Sequence, residues 1–549
     1  LIGVYSYPSS GNNPEDDHSH GSHTASTTAG NVLYDVEYEG YTFTQISGMA
    51  PHANIIAYDV CTGSGCQSDS ILAAINDAVA DGVDVINYSI GGGPTNPWGD
   101  PDSEAYLNAR AAGVFVATSA GNNGPGAGTV GSPGNAPWLT TVANTTIGRV
   151  LANTFDVTGP GTPPVELTGI AAIHGPDGPA ITVNIEADII YSGDVDAGNV
   201  LGCAAFPAGS FTDSIALIQR GDCAFADKVN NATAAGAIAV VIFNHSSGPP
   251  IVMGGLAGTT IPAVFISLDE GADVRDWIQA ETDPTARINA GIDRVVNADW
   301  ADIMAASSSR GPNVNADWIK PDIAAPGTNI FAAYAGDADS FGMMSGTSMA
   351  SPHVAGAGAL MTALFPTWTP AEIQSALMMT SYPDLVKEDG LTPADPFDIG
   401  AGRLDLTNAA LAGLVLNETT ANYEDADPGA GGDPTTLNLA SLANPACLQN
   451  CSWERTFRNT TDVAVTWEIT FTGDVPLVAD PMTFTVGVGA TQVVTFTADA
   501  TGLPDGVWLF GMVTLIPDNG GPELHLPVAV VPTSGVLPAL VEVHTRRNA

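Results

Sequence analysis

Lysine is almost missing from this chain: Lys228, Lys320 and Lys387 are its lysines, and Lys and Arg together number 15 against 59 Asp and Glu. The formal net charge is −44 over 549 residues. Nothing is on hand to neutralise phosphates, which excludes nucleic acid as a partner. No apolar run approaches the roughly 20 residues of a membrane-spanning helix, so no membrane partner is expected. Internal repeats and heptads are also missing, which excludes solenoids and coiled coils. No secretion signal is visible. The first residues, Leu1-Ile2-Gly3-Val4-Tyr5, already read as an apolar strand, so a truncated or processed chain is expected. The acidic surface suits a protein that stays soluble outside the cell or in salty water. Acidic composition across a whole lineage is the equally weighted alternative.

Cysteine is sparse but patterned. Cys61/Cys66, Cys203/Cys223 and Cys447/Cys451 are three close pairs. Local pairing of this kind fits three disulfides in an oxidising compartment, and a secreted, extracellular protein is expected. Cys447-Leu-Gln-Asn-Cys451 lacks the second half of a metal site, which leaves a short disulfide or two free thiols.

A chain this long needs two to four cores. Residues 1–150 alternate apolar strand runs with helical stretches. Ala53 to Val60, Asp84 to Ile90 and Val114 to Thr118 read as strands, and Ser68 to Ala80 as a helix with Ile71, Leu72, Ile75, Ala78 and Val79 on one face. That alternation predicts an α/β unit with a parallel sheet, whose sites form beyond the strand C-terminal ends. Residues 151–298 are richer in Gly, Pro, Thr and Val and predict an inserted β-rich domain with a single helix at Phe225 to Ala235. The α/β texture resumes over 299–416. Residues 417–435 read as a linker, acidic and flexible from Glu424 to Pro434, and 436–549 as an antiparallel β-sandwich.

Three segments carry chemistry. Gly346-Thr347-Ser348-Met349-Ala350-Ser351-Pro352-His353 sets a hydroxyl nucleophile where a loop turns into an Ala/Gly-rich helix. That placement aims backbone N–H groups and the positive helix end at the spot where an oxyanion forms. His20-Gly21-Ser22-His23 offers a base on its own small-residue helix, and Ser119-Ala120-Gly121-Asn122 a carboxamide donor. Alone, each has a plainer reading: a capping serine, a surface histidine, a turn asparagine. Together they are the parts of an acyl-transfer site. His18, His20 and His23 do not share one helix face, and no carboxylate or cysteine completes a zinc set, so no metal is assigned.

Taken in order, these motifs resemble the subtilisin-like serine protease family, over residues 1–150 and 299–416. The resemblance implies that Ser348 attacks the scissile carbonyl and His20 takes its proton. Asn122 and the Ser348 N–H would bind the oxyanion. Ser89, Ile90, Gly91 and Gly92, with Ser119, Ala120 and Gly121, would hold an extended protein or peptide substrate. No cofactor is implied; structural calcium is common in the family, but no ligands are assigned here. One member of the family pattern is missing: no apolar-Asp-Thr/Ser-Gly strand precedes His20. Asp16 and Asp17 read as surface residues, and Asp59 ends a strand that follows the histidine helix. The catalytic aspartate is therefore expected upstream of Leu1, and the chain itself is expected to be weakly active. Ile218 to Phe225 with Lys228, Ala234-Ala235-Gly236-Ala237 and Ile261-Pro262-Ala263-Val264 resemble a protease-associated domain. The residues beyond about 436 resemble a fibronectin-III-like domain. The sequence is silent on cleavage preference and oligomeric state.

Overall fold

Four short strand-forming runs build the parallel sheet beneath the site. The computed structural model describes residues 1–7, 14–62, 65–175, 177–313, 316–337 and 340–533. In chain order its first elements are β1 (Gly3–Ser6), α1 (His20–Ala29), the hairpin β2 (Leu33–Tyr38) and β3 (Tyr41–Ile46), β4 (Ile56–Asp59), α2 (Ser68–Asp81), β5 (Val85–Tyr88), α3 (Pro101–Ala111), β6 (Phe115–Ser119) and β7 (Thr140–Thr145). After the insert come β8 (Ile323–Pro326), the hairpin β9 (Ile330–Ala333) and β10 (Phe341–Met344), α4 (Thr347–Leu364) and α5 (Pro370–Met379).

Strands β8, β7, β6 and β5 form one all-parallel sheet in that order. Every residue of β6 and β7 is buried, as expected of strands covered on both faces. Strand β4 pairs in parallel with β1 in a separate two-stranded sheet. Among the described residues no ladder joins β4 to β5; α2 links them instead, burying Ile71 and Ile75 in a core shared with Tyr58, Ile86 and Tyr88.

Helix α4 lies across the parallel sheet. Ala350, Val354, Ala355, Ala357 and Met361 pack with Phe115, Ala117, Val142, Ile323 and Ala325. Its glycines permit the close approach. A Cβ on Gly356 would meet Met49 Cβ at 2.5 Å and the Thr28 carbonyl at 2.8 Å, and one on Gly358 would run into the Phe115 ring. Gly356→Ala is accordingly expected to lose about 1–3 kcal/mol to overpacking, against a helix-propensity gain of about 1. A denaturant titration of the variant checks this.

Between β7 and β8 the chain inserts an eight-stranded mixed sheet. Its order is Ile170–His174, Ala263–Ile266, Ala239–Phe243, Ile215–Gln219, Ile185–Tyr191, Thr285–Ile288, Arg149–Gly159, Asp293–Val296. Two apolar cores flank it. The insert holds more than the one helix expected. Leu268–Ala280 is a second, capped by Ser267 Oγ, which accepts from the Glu270 N–H at 3.3 Å. Ser267-x-x-Glu270 is a capping signature that marks this start.

The C-terminal part has two sheets around a shared core that includes Trp453, Phe457, Trp467, Val494, Phe496 and Leu515. It is not wholly antiparallel as expected: Leu442–Leu448 runs parallel to Leu524–Thr533. Leu414–Leu416 joins the first sheet through Asn450–Asn459. The expected sandwich extends to 549; residues 534–549 lie outside the described ones. The expected flexible linker is instead ordered. Thr420–Asp425 is helical, Tyr423 is wholly buried, and Trp98 Nε1 donates to the Tyr423 carbonyl at 2.7 Å. Burial of Tyr423, Ala426 and Leu437 against Trp138 and Tyr106 outweighs the local acidic charge. All three cysteine pairs are disulfides, Cys447–Cys451 included.

Candidate active site

The nucleophile turn follows β10. Gly346 N–H donates to the Gly327 carbonyl at 2.8 Å, and α4 begins at Thr347. Asn122 meets this turn directly. Its Oδ1 accepts from the Thr347 N–H at 3.0 Å and from Thr347 Oγ1 at 3.1 Å. A backbone amide only donates, so the carboxamide orientation is settled and Nδ2 is left as a donor near Gly346, where a Cβ would lie 3.5 Å from it. The Asn122 side of the turn is exposed. Gly121 precedes it with φ 104°, and a Cβ there would sit 2.9 Å from Ser309 Oγ. Only glycine suits both conditions.

Ser309 gives no signal of its own in the sequence. Its N–H donates to Gly121 O at 2.9 Å, and its hydroxyl accepts from Asn123 N–H at 3.1 Å. The segment re-entering from the insert thus braces the oxyanion turn.

Ser348 is half-buried in the first turn of α4 and closes a ring with the end of β5. Its Oγ donates to the Ser89 carbonyl at 3.3 Å, and Ser89 Oγ donates to the Ser348 carbonyl at 2.8 Å. Asn87 holds the ring from below: Nδ2 donates to Ser89 Oγ at 3.1 Å, and Oδ1 accepts from Ser351 Oγ at 2.8 Å. Sequence reasoning misses the pairing of Asn87 with Ser351, because two residues 264 positions apart give no local signal.

His20 opens α1, which packs on α4. Among the described residues no hydrogen bond joins its ring to Ser348 or to any carboxylate. Asp16, read as a surface residue, has a different part. It is half-buried, and its oxygens accept from the N–H groups of His18 at 2.9 Å, Ser19 at 2.8 Å and Ser22 at 2.7 Å. These amides are the free donors of a helix start, so a carboxylate is stabilised there. Asp17 is exposed.

Of the residues expected to line the substrate cleft, Ser89, Ile90, Gly91 and Gly92 follow β5, with Gly91 and Gly92 exposed. Gly92 N–H donates to the Ser132 carbonyl at 2.8 Å. Ser119 and Ala120 are buried, and Ala120 engages both its backbone groups, N–H to Val142 O and carbonyl from Gly131 N–H.

Burial pushes His20 below the usual 6.5, with His18 adding to the effect and Asp16 opposing it. Its neutral, proton-accepting form therefore persists further into acid than in an exposed histidine. The acid limb of any His20-dependent rate is expected to have its midpoint below 6.5. His23, wholly buried, is pushed down from 6.5 to about 4 by desolvation. The unfolded chain then binds the extra proton between those values. Stability is full above 6.5 and falls with pH toward 4, by up to about 3 kcal/mol. Denaturant titrations at pH 7 and pH 4.5, with His23→Gln as the control for this share, read out the slope.

With the geometry in view, known proteins supply context. A family model described as the subtilase family (Peptidase S8) matches residues 2–402. Subtilisin-like protease SBT1.7 of Arabidopsis thaliana is 34% identical over 432 residues, 75% of this chain and 55% of that protein. Subtilisin-like protease SBT5.4 of the same plant is 33% identical over 502 residues, 85% of this chain and 62% of that protein. A solved psychrophilic subtilisin-like protease, Apa1 from an Antarctic Pseudoalteromonas, aligns at TM-score 0.42 and 19% identity over 74% of this chain and 88% of that one. The chain spans little more than half the length of the curated relatives it matches.

Proposed function

The chain belongs to the subtilase family, and from that premise we propose that it carries the site of a secreted serine endopeptidase acting on proteins or peptides. Ser348 is the nucleophile. His20 accepts its proton and returns it to the leaving amine. Asn122 Nδ2 and the Ser348 N–H receive the oxyanion. An extended substrate lies along Ser89–Gly92 and Ser119–Gly121. No cofactor is needed for these steps. Three disulfides support an extracellular location. The insert is read as a protease-associated domain and the C-terminal sheets as a fibronectin-III-like domain.

The observation that supports this most is the double clamp of Thr347 on Asn122 Oδ1, which commits the oxygen to the nucleophile's helix start and leaves Nδ2 as the carboxamide's donor. A fluorophosphonate probe tests it. Covalent label on Ser348, abolished in Ser348→Ala, is the expected result; no label at any probe concentration overturns it.

A second reading, a peptide-binding scaffold without turnover, is favoured by one observation. The Ser348 hydroxyl is bonded to Ser89 O, not to His20, and no described carboxylate holds the imidazole. The same labelling experiment separates the two.

A further inference from the structure

One hairpin, β9–β10, touches the insert, the helix of His20 and the turn of Ser348. On the insert side, Asn329 just ahead of β9 is buried, and its Nδ2 donates to the Pro250 carbonyl at 2.7 Å. Met343 of β10 packs on the insert core of Val150, Ala152, Ala171 and Ile173, together with Val252.

On the other side the hairpin holds α1 at three points. His23 Nε2 donates to Ile330 O at 2.8 Å; a carbonyl only accepts, which assigns the proton to that nitrogen. Ser26 Oγ accepts from the Ala333 N–H at 3.0 Å, and Ser19 Oγ from the Ala335 N–H at 3.2 Å. Ser19 immediately precedes His20.

Toward the nucleophile the link is shorter still. Asn329 N–H donates to Ser345 Oγ at 2.8 Å, and β10 ends at Met344, directly before the Ser345–Ser348 turn. Asn329 therefore grips the insert through Nδ2 and the serine turn through its backbone N–H, with its Oδ1 also accepting from Ser345 Oγ at 3.5 Å. Its φ of 56° lies in the left-handed region, which asparagine and glycine tolerate best.

We propose that the inserted module sets the relative placement of the His20 and Ser348 helices through this hairpin, with Asn329 as the positioning residue. The insert then acts on turnover from behind the site, apart from any contact it makes with substrate. The inference rests on the reading of His20 and Ser348 given above.

Asn329→Gly keeps the left-handed backbone and the N–H bond to Ser345 Oγ, and removes the side-chain grip on Pro250 together with the long 3.5 Å bond from Ser345 Oγ to Asn329 Oδ1. The expected result is a fall of about tenfold or more in kcat and in the rate of fluorophosphonate labelling, with KM within twofold. Amide exchange at Ser345–Ser348 and at Ile330–Ala333 rises in the same variant. Labelling and kcat within twofold of the parent, or a raised KM with kcat unchanged, overturn the proposal. Should the parent chain take no label, the assignment of Ser348 as nucleophile is what fails. Exchange alone then decides the strut: faster at Ser345–Ser348 in Asn329→Gly upholds it, and no change overturns it.

Discussion

Turnover of peptide substrates by this chain is expected to be about 10⁴-fold below that of a triad whose histidine is held by a buried carboxylate. His20 carries no such bond among the described residues, so no carboxylate there fixes its tautomer, and the imidazolium that forms is favoured only by the unbonded charge of Asp16. The size of the Ser348→Ala effect follows from this. In a complete triad, losing the serine costs about 10⁶-fold in kcat, but triad losses do not add. With no carboxylate bonded to His20 among the described residues, Ser348→Ala is expected to cost only about 100-fold here, the ratio of those two losses. Single-turnover kinetics on a chromogenic peptide measure both numbers. A 10⁶-fold drop would mean that a carboxylate supports His20 after all.

Asp322→Ala is expected to destabilise the catalytic part by about 3–5 kcal/mol. Lys320 Nζ is wholly buried and donates to the Leu139 carbonyl at 2.7 Å, to Thr141 Oγ1 at 3.1 Å and to Asp322. Asp322 in turn accepts from the Thr141 N–H at 2.7 Å. Burial pushes the lysine down and the carboxyl up, and each restrains the other. Removing the carboxylate strands an ammonium in the interior and orphans the Thr141 amide of β7. Replacing both residues, as Lys320→Met with Asp322→Leu, is expected to recover most of the loss, because no lone charge remains. Trp318 lies two residues before Lys320, and Trp138 directly precedes Leu139, whose carbonyl the lysine binds, so denaturation followed by tryptophan fluorescence reports the pair. Equal losses in the single and double variants would show that packing, not the stranded charge, dominates.

Local signals made much of this molecule legible. The Ala/Gly-rich helix expected at the Ser348 turn is found at Thr347–Leu364, and Thr369 caps α5 with Glu372 in a reciprocal box. Glycine runs past strand ends marked the turns around Ser89 and Asn122. What escaped were features made by distant partners. Asp16 reads as one more acid in a polar loop until the three amides it binds are placed around it. Asn87 and Ser309 look like ordinary strand and loop residues, because their partners lie on segments that only the fold brings near. The acidic stretch after 417 has the composition of a tether, yet Tyr423 inside it finds Trp138 and Arg110 across the domain boundary. Composition reports average solvation and misses one aromatic anchor.

The ladder that stops at β4 and starts again at β5 leaves a seam through the middle of the catalytic part. Among the described residues the two sides are joined not by a ladder but by a shared apolar core, to which α2 gives Ile71 and Ile75 and α3 gives Tyr106 and Leu107. Such a joint is softer than the sheet on either side of it. Opening of the catalytic part is therefore expected to begin along this line.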